Sequence, residues 1–151
     1  MNMNEKLQLE DGIEEANAKS FRSLVEGLIY LTEIRPDIAF SVGIISRFMQ
    51  SPTKHHLGAT KRILRYIVGT TNYGIWYTQV SNFSLCGFTD SYWASLLDDR
   101  KSTSSSVFNL GLGAITWSSR KQDTITLSSS EVEYVTTSSA ACQAVWLKEF
   151  L

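Results

Sequence analysis

Two carboxylates, Asp90 and Glu133, stand where their type and spacing could do chemistry. Asp90 closes a stretch with Phe83, Leu85, Cys86 and Phe88 that reads as a buried strand. An ionised carboxylate at the end of such a strand loses solvation and is tolerated only if something pairs with it. Glu133 lies in "SSSEVEY", where Ser128 followed by Glu131 has the spacing of a capping box. Glu133 stands two residues beyond Glu131, roughly 200° around a helix, so it cannot share the capping task and is free to face the sheet. An early-helix glutamate packed against a strand that ends in Asp90 brings two like charges together, and these need a cation or a proton. Oxygen-only ligands of this kind favour Mg²⁺ or Mn²⁺. The competing reading is that a glutamate at a helix start only complements the helix dipole.

A second constellation is cationic. Between Asp37 and Asp90 there is no acidic residue, while Arg47, Lys54, Lys61, Arg62 and Arg65 all fall there beside His55 and His56. Lys54, Lys61 and Arg65 recur at i, i+7 and i+11, which places them on one helical face as a stripe able to track a phosphate backbone. The alternative is a solvated helix face. The net charge of the whole chain is only −1, so this basic island and not the overall balance is the electrostatic signal.

These residues need elements to position them. The spacing predicts a helix from near Ser20, with Phe21, Leu24, Val25, Leu28 and Leu31 as its apolar row, ended by Pro36. Pro36 to about Gln50 reads as a second helix, apolar on most sides and therefore buried. "SPTKHHLGATKRILRYIVG" reads as a third, with Ser51 as N-cap, Pro52 at the first helical position, Gly69 as the stop, and Leu57, Leu64, Ile67 and Val68 toward the core. A short extended "YGIWY" follows. Strands are then expected at about 83–90, 105–110 and 114–118, the last two joined by a three-residue glycine-bearing loop at 111–113. "TITL" reads either as a short strand or as an extended lead into a final helix from Ser128. That helix has Val132, Val135, Cys142, Val145, Trp146 and Phe150 as its apolar face.

The fold class expected is therefore α+β: a mobile lead-in over 1–18, a helical segment over 19–80, and three strands then a helix over 81–151. With 43% hydrophobic residues and 11% aromatics the chain can fill a core, which excludes a disordered protein. Cys86 and Cys142 sit in apolar runs, so small buried hydrophobes are expected and not a disulfide or a zinc site. No signal segment or membrane span is expected, which places the chain in cytoplasm or nucleus.

The long helical stretch beginning "FRSLVEGLIYL", together with "GFTDSYWASLLDDRKSTSSSVFNLGLGAITWSSRKQDTITLSSSEVEYV" and "ACQAVWL", resembles the C-terminal part of the Pol polyprotein of copia-type LTR retrotransposons. The resemblance implies a reverse transcriptase thumb and connection up to about residue 80, followed by the N-terminal half of an RNase H domain. It implies Asp90 and Glu133 as the first two ligands of a two-ion site built on Mg²⁺ or Mn²⁺. It also implies that Lys54, Lys61, Arg62 and Arg65 lie along an RNA·DNA or DNA duplex backbone, where such contacts bind without reading sequence.

The chain departs from the family pattern where "TDSDWAG" is "TDSYWAS", with Tyr92 and Ser95 replacing Asp and Gly. "KSTSG" has become "KSTSS", which puts Ser105 at a turn glycine, and "LVGG" has become "LVEG", with Glu26. The polymerase "YVDD" motif has no counterpart, and the third RNase H carboxylate belongs beyond "VWL". Asp98, Asp99 and Asp123 read as surface carboxylates on turns. The expectation is a truncated, catalytically inactive Pol fragment whose exposed sheet edge invites self-association. Two alternatives stand beside it. One is a weak Mg²⁺-dependent RNA·DNA hybrid ribonuclease completed by another chain, and the other a nucleic-acid-binding module without chemistry.

Overall fold

The computed structural model describes residues 7–8, 12–78, 84–94 and 100–151. Its described elements are four α-helices, one 3-10 turn and a three-stranded antiparallel sheet, with three of the helices preceding the strands. The arrangement is α+β. The chain divides into two compact units, the first built from the residues up to Tyr73 and the second from the strands and the last helix.

In the first unit, α1 spans Ala18–Leu31 and buries Phe21, Val25 and Leu28, one side chain per turn. It starts before Ser20 because Asn17 is the cap, its Oδ1 accepting the Ser20 N–H at 2.9 Å. Pro36 opens α2, Pro36–Ile45, at the position where its missing N–H costs nothing. The helix then tightens into a 3-10 turn over Ser46–Phe48, short of the expected end at Gln50. Ile38, Val42, Ile45 and Phe48 form its buried row, whereas Phe40 is 46% exposed, so α2 is buried on one side and not on most sides.

Helix α3 spans Lys54–Gly69, and its cap is Thr53, not Ser51. Thr53 and His56 form a reciprocal capping box, with the imidazole taking the place of the usual Glu or Gln. His56, Ala59, Thr60 and Ile63 are buried. Of the residues expected to face the core, Leu57, Leu64 and Ile67 pack against it, while Val68 points to solvent at 74% exposure. Ten buried residues from Leu7 to Ile63 make up this core. Residues 14–16 lie along the start of α3 as a strap. Ala16 N donates to Pro52 O at 2.8 Å, and Lys54 N donates to Glu14 O at 2.9 Å.

The second unit holds β1 (Leu85–Tyr92), β2 (Thr103–Leu110) and β3 (Gly113–Lys121), paired antiparallel in that order. The β2–β3 loop is two residues long, not three, because Leu110 already pairs with Gly113. Gly111 supplies the positive φ, 64°, that such a tight connection requires. The register shifts at Phe108/Asn109, leaving Ile115 as the extra residue of a bulge in β3. Ser105 sits in mid-strand paired with Asp90 and Ser119, so no turn glycine is needed there.

Helix α4 spans Ser129–Phe150 and lies across β1 and β2. The sheet face beneath it carries Ser104, Ser106 and Phe108, with their partners Ser91, Thr89 and Gly87. Gly87 is required by close approach, since a Cβ there would sit 2.6 Å from the Phe108 ring. Against this small, hydroxyl-rich surface the helix buries Val132, Thr136, Ala140 and Leu147. The expected face is largely turned outward: Val135, Cys142, Val145, Trp146 and Phe150 are exposed, and the last two rings pack on each other at 4.6 Å. Small residues let helix and sheet come together, and the bulky ones are left at the margin.

Two further expectations change, and one left open is decided. Strand β1 is exposed along most of its length, with Phe88 at 59%, because it is the edge of the described sheet. Both cysteines are exposed rather than buried. "TITL" forms no strand and leads into α4, with the Thr126 carbonyl oxygen accepting from Trp93 Nε1 at 3.2 Å. Phe83, Ser95, Asp98 and Asp99 lie outside the described residues, and Asp123 is exposed. Among the described residues no helix is long and apolar enough to cross a membrane.

Candidate functional site

Asp90 lies in β1 rather than at its end, with Ser91 and Tyr92 continuing the strand. By strand alternation it shares a face with Phe88 and Tyr92, away from α4. Its Oδ1 accepts the N–H of the next residue, Ser91, at 2.9 Å. Glu133 comes from the second turn of α4. The helix start is set by Ser128, whose Oγ accepts the Glu131 N–H at 3.2 Å, while Glu131 reaches back to accept the Leu127 N–H at 2.7 Å. Glu131 is thus committed to the cap and Glu133 is not, as the spacing predicts.

Asp90 and Glu133 line one open cleft of about 240 Å³, together with Thr89, Ser91, Thr136 and Thr137. Each of these residues carries a side-chain oxygen, the donor chemistry of a hard divalent cation, although strand alternation turns the Asp90 carboxylate toward the other face of the sheet. Among the described residues there is no group of three or more His, Cys, Asp or Glu side chains placed to hold a metal ion.

Lys54, Lys61 and Arg65 fall on one exposed face of α3 as the spacing predicts. Lys54 is not a bare cation, because its ammonium is ion-paired to Glu14 of the strap. Arg62 is also exposed but lies about 80° around the helix from Lys61–Arg65. There it borders a second cleft, of about 360 Å³, with Asp37, Ser41 and Tyr66. Arg47 sits on the 3-10 turn, off α3 altogether.

That second cleft adjoins a polar cluster without a simple sequence signal. Arg35 donates to both carboxylate oxygens of Asp37, at 2.9 and 2.7 Å, and reaches Thr70 Oγ1 at 2.7 Å. The hydrogen bond from Arg35 holds the Asp37 carboxyl below the usual carboxylate range, and Asp37 in turn holds the Tyr66 hydroxyl above the usual phenol value. The guanidinium lies 5.9 Å from the Tyr66 ring centre, so the cluster ties the α1–α2 junction to the end of α3. The "RPD" triplet that builds it could have been read as a fork, since proline fixes the backbone between the two charges.

Comparison with known proteins places these features in a wider context. No protein-family profile matches the sequence, and no solved structure matches it. Over 146 residues the chain is 39% identical to the Retrovirus-related Pol polyprotein from transposon RE1 of Arabidopsis thaliana, a match covering 97% of this chain and 10% of that one. It is 40% identical over 132 residues to the Retrovirus-related Pol polyprotein from transposon TNT 1-94 of Nicotiana tabacum, covering 87% of this chain and 10% of the relative. It is also 41% identical over 128 residues to a protein of Plasmopara viticola named Secreted RxLR effector protein 161, covering 84% of this chain and 90% of that protein. The chain spans about a tenth of the length of the Pol polyproteins it matches.

Proposed function

Because the chain is similar over most of its length to retrotransposon-related Pol polyproteins, we propose that it is a Pol-derived fragment of the reverse transcriptase and RNase H region. In this reading the first unit corresponds to the thumb and connection, and the second to the front half of RNase H. The observation that supports it is that Asp90 of β1 and Glu133 of the second turn of α4 both border one cleft. The fragment holds a divalent cation weakly there and does not hydrolyse nucleic acid by itself. Two acidic ligands neutralise one ion, and a second ion across the scissile phosphate calls for more.

The experiment is to incubate the purified chain with an RNA·DNA hybrid and Mg²⁺, and to follow Mg²⁺ binding in parallel by NMR of the Asp90 and Glu133 carboxyl carbons. The expected result is no cleavage, with millimolar Mg²⁺ shifting both resonances and Asp90→Asn abolishing the Glu133 shift. Cleavage that Asp90→Asn and Glu133→Gln both abolish would establish the ribonuclease reading instead. Failure of Mg²⁺ to perturb either resonance would remove the metal assignment.

The second reading, a binding module without chemistry, draws on the exposed Lys54, Lys61 and Arg65 face of α3. It is compatible with the first, because a thumb contacts a duplex through phosphates alone.

A further inference from the structure

The two edges of the described sheet are not alike. At β3 the outward carbonyl of Ala114 accepts the Tyr77 hydroxyl at 2.5 Å, the bulge at Ile115 interrupts the edge, and Arg120 and Lys121 end it. Bulges and basic side chains are common guards of a strand edge. β1 has none of these. It contains no proline and no basic residue, and Cys86, Gly87, Phe88, Thr89 and Asp90 are all exposed.

The direction of the β1 backbone groups follows from one hydrogen bond. Gly111 N donates to Ser84 O at 3.1 Å, so these two residues form a hydrogen-bonded pair. By alternation Cys86, Phe88 and Asp90 turn their N–H and C=O groups to β2, while Leu85, Gly87, Thr89 and Ser91 turn theirs outward. The Ser91 N–H is taken by the Asp90 carboxylate, which ends the open stretch. What remains, with no partner among the described residues, is the outward backbone of Leu85, Gly87 and Thr89, centred on Gly87.

We propose that a second copy of this chain adds to β1 antiparallel, about a two-fold axis at Gly87, and makes one continuous sheet across both copies. Leu85 then pairs with the partner's Thr89, and Gly87 with its own counterpart, each pair exchanging two N–H···O bonds. Registers displaced by two residues pair fewer of these positions. On the face away from α4, Cys86 stands opposite the partner's Phe88, and the two Asp90 carboxylates lie about 20 Å apart, so like charges do not meet. A two-fold contact has to be complementary to itself in this way.

Helix α4 agrees with the same axis. It runs antiparallel to β1, since Glu133 and Thr137 border the cleft with Thr89 and Ser91, while Ala144 and Leu147 pack in the cluster that holds Leu85. Glu133, Thr137, Ala144 and Lys148, at i, i+4, i+11 and i+15, share the flank of α4 above this edge. Gly87 lies about 10 Å along the strand from Asp90, or about seven helical residues on from Glu133. That is the level of Ala140, midway between Glu133 and Lys148. The axis therefore sets Glu133 of each copy beside the partner's Lys148, at the two ends of a centre whose Thr137 and Ala144 are small enough for two helices to approach.

The test is sedimentation velocity on the full chain from micromolar to submillimolar concentration, with a chelator and without nucleic acid, so that its outcome is separate from that of the Mg²⁺ experiment. A reversible monomer–dimer equilibrium is expected. Thr89→Pro removes an outward N–H that β2 does not use, so the fold is kept and the dimer dissociation constant should rise at least about tenfold. Lys148→Glu opposes like charges and should raise it a few-fold, and Glu133→Lys combined with Lys148→Glu should restore it. With Cys142→Ser in place, Phe88→Cys should form an intermolecular disulfide to Cys86 on mild oxidation, because cross-strand positions of this kind lie within bonding reach. The proposal is overturned by a chain that stays monomeric throughout, by a dimer that folded Thr89→Pro leaves unchanged, or by the absence of the Cys86 cross-link. Should Thr89→Pro not fold, the cross-link decides.

Discussion

Ser104 Oγ lies 2.6 Å from Thr136 Oγ1, and the direction of that bond is fixed by its neighbours. Gln122 Nε2 donates to Ser104 Oγ at 2.8 Å, and Thr136 Oγ1 spends its own hydrogen on Val132 O at 2.8 Å. Ser104 must therefore donate to Thr136. This chain of hydroxyls joins β2 to α4 three residues beyond Glu133, so the bond that seats the helix also sets Glu133 beside β1.

Thr136 is 3% exposed, and Thr136→Val keeps its shape while removing the acceptor. The Ser104 hydroxyl is then left facing a methyl group, at a cost of about 1–3 kcal/mol. Urea titration followed by tryptophan fluorescence is expected to move the midpoint of the second unit down without changing its slope. Thr136→Ser should recover most of the loss, and an unchanged midpoint in Thr136→Val would mean that the hydroxyl chain contributes nothing.

The second unit has a thin core, in which Phe108, Ala140 and Leu147 are the buried members of the cluster that joins sheet to helix. Phe108→Ala is expected to cost about 3–5 kcal/mol, enough to unfold so small a unit. Hydrogen exchange should then show loss of protection across 85–121 with the α1–α3 amides retained, because those rest on a separate core of ten residues. Retained strand protection in the variant would show that the unit draws its stability from elsewhere.

Asp37 offers a test in acid. A carboxyl whose folded value is depressed contributes stability above its unfolded value, near 3.9, and loses it as pH falls through the folded one. Thermal unfolding of the first unit should therefore decline below about pH 4 in wild type. That acid step should be smaller in Asp37→Asn, whose loss at pH 7 is expected to be under about 1 kcal/mol, since the pair is partly open to solvent. Identical acid profiles for the two proteins would contradict the assignment.

For the α3 stripe, Lys61→Ala and Arg65→Ala should each weaken duplex binding to a similar degree for all sequences. Each should also reduce the slope of log affinity against log salt by about 0.9. Fluorescence anisotropy at several salt concentrations measures both quantities. Affinity indifferent to salt would exclude phosphate contacts through this face.

The helices were legible because their apolar residues repeat at helical spacing, and Phe21, Val25 and Leu28 are buried as that spacing requires. Their starts were less so. Ser51 and Pro52 imitate a cap, but the cap is Thr53, because a histidine at the third helical position can do what glutamate usually does. The α4 face departs from expectation for a different reason. Thr136 and Ala140 are buried since they fit a serine-rich sheet, whereas the spacing of bulky apolar residues picks out Trp146 and Phe150, which are exposed. For the candidate site, the separate duties of Glu131 and Glu133 followed from angles along one helix. The cluster of Arg35, Asp37, Tyr66 and Thr70 did not, because it depends on how α3 ends beside the α1–α2 junction.

The extra residue at Ile115 has a consequence for how this sheet tolerates insertion and deletion. Beyond it, Thr116 pairs with Phe108 and Trp117 with Val107, which keeps the indole on the side of the sheet away from α4. Pairing without the bulge would set Ile115 opposite Phe108 and bring Trp117 opposite Ser106 beneath the helix, and every later side chain of β3 would change sides with it. Deleting Ile115 itself has no such effect, because the bulge supplies the residue that is lost and Trp117 stays opposite Val107. A one-codon deletion is therefore tolerated by the register at this one point of the hairpin.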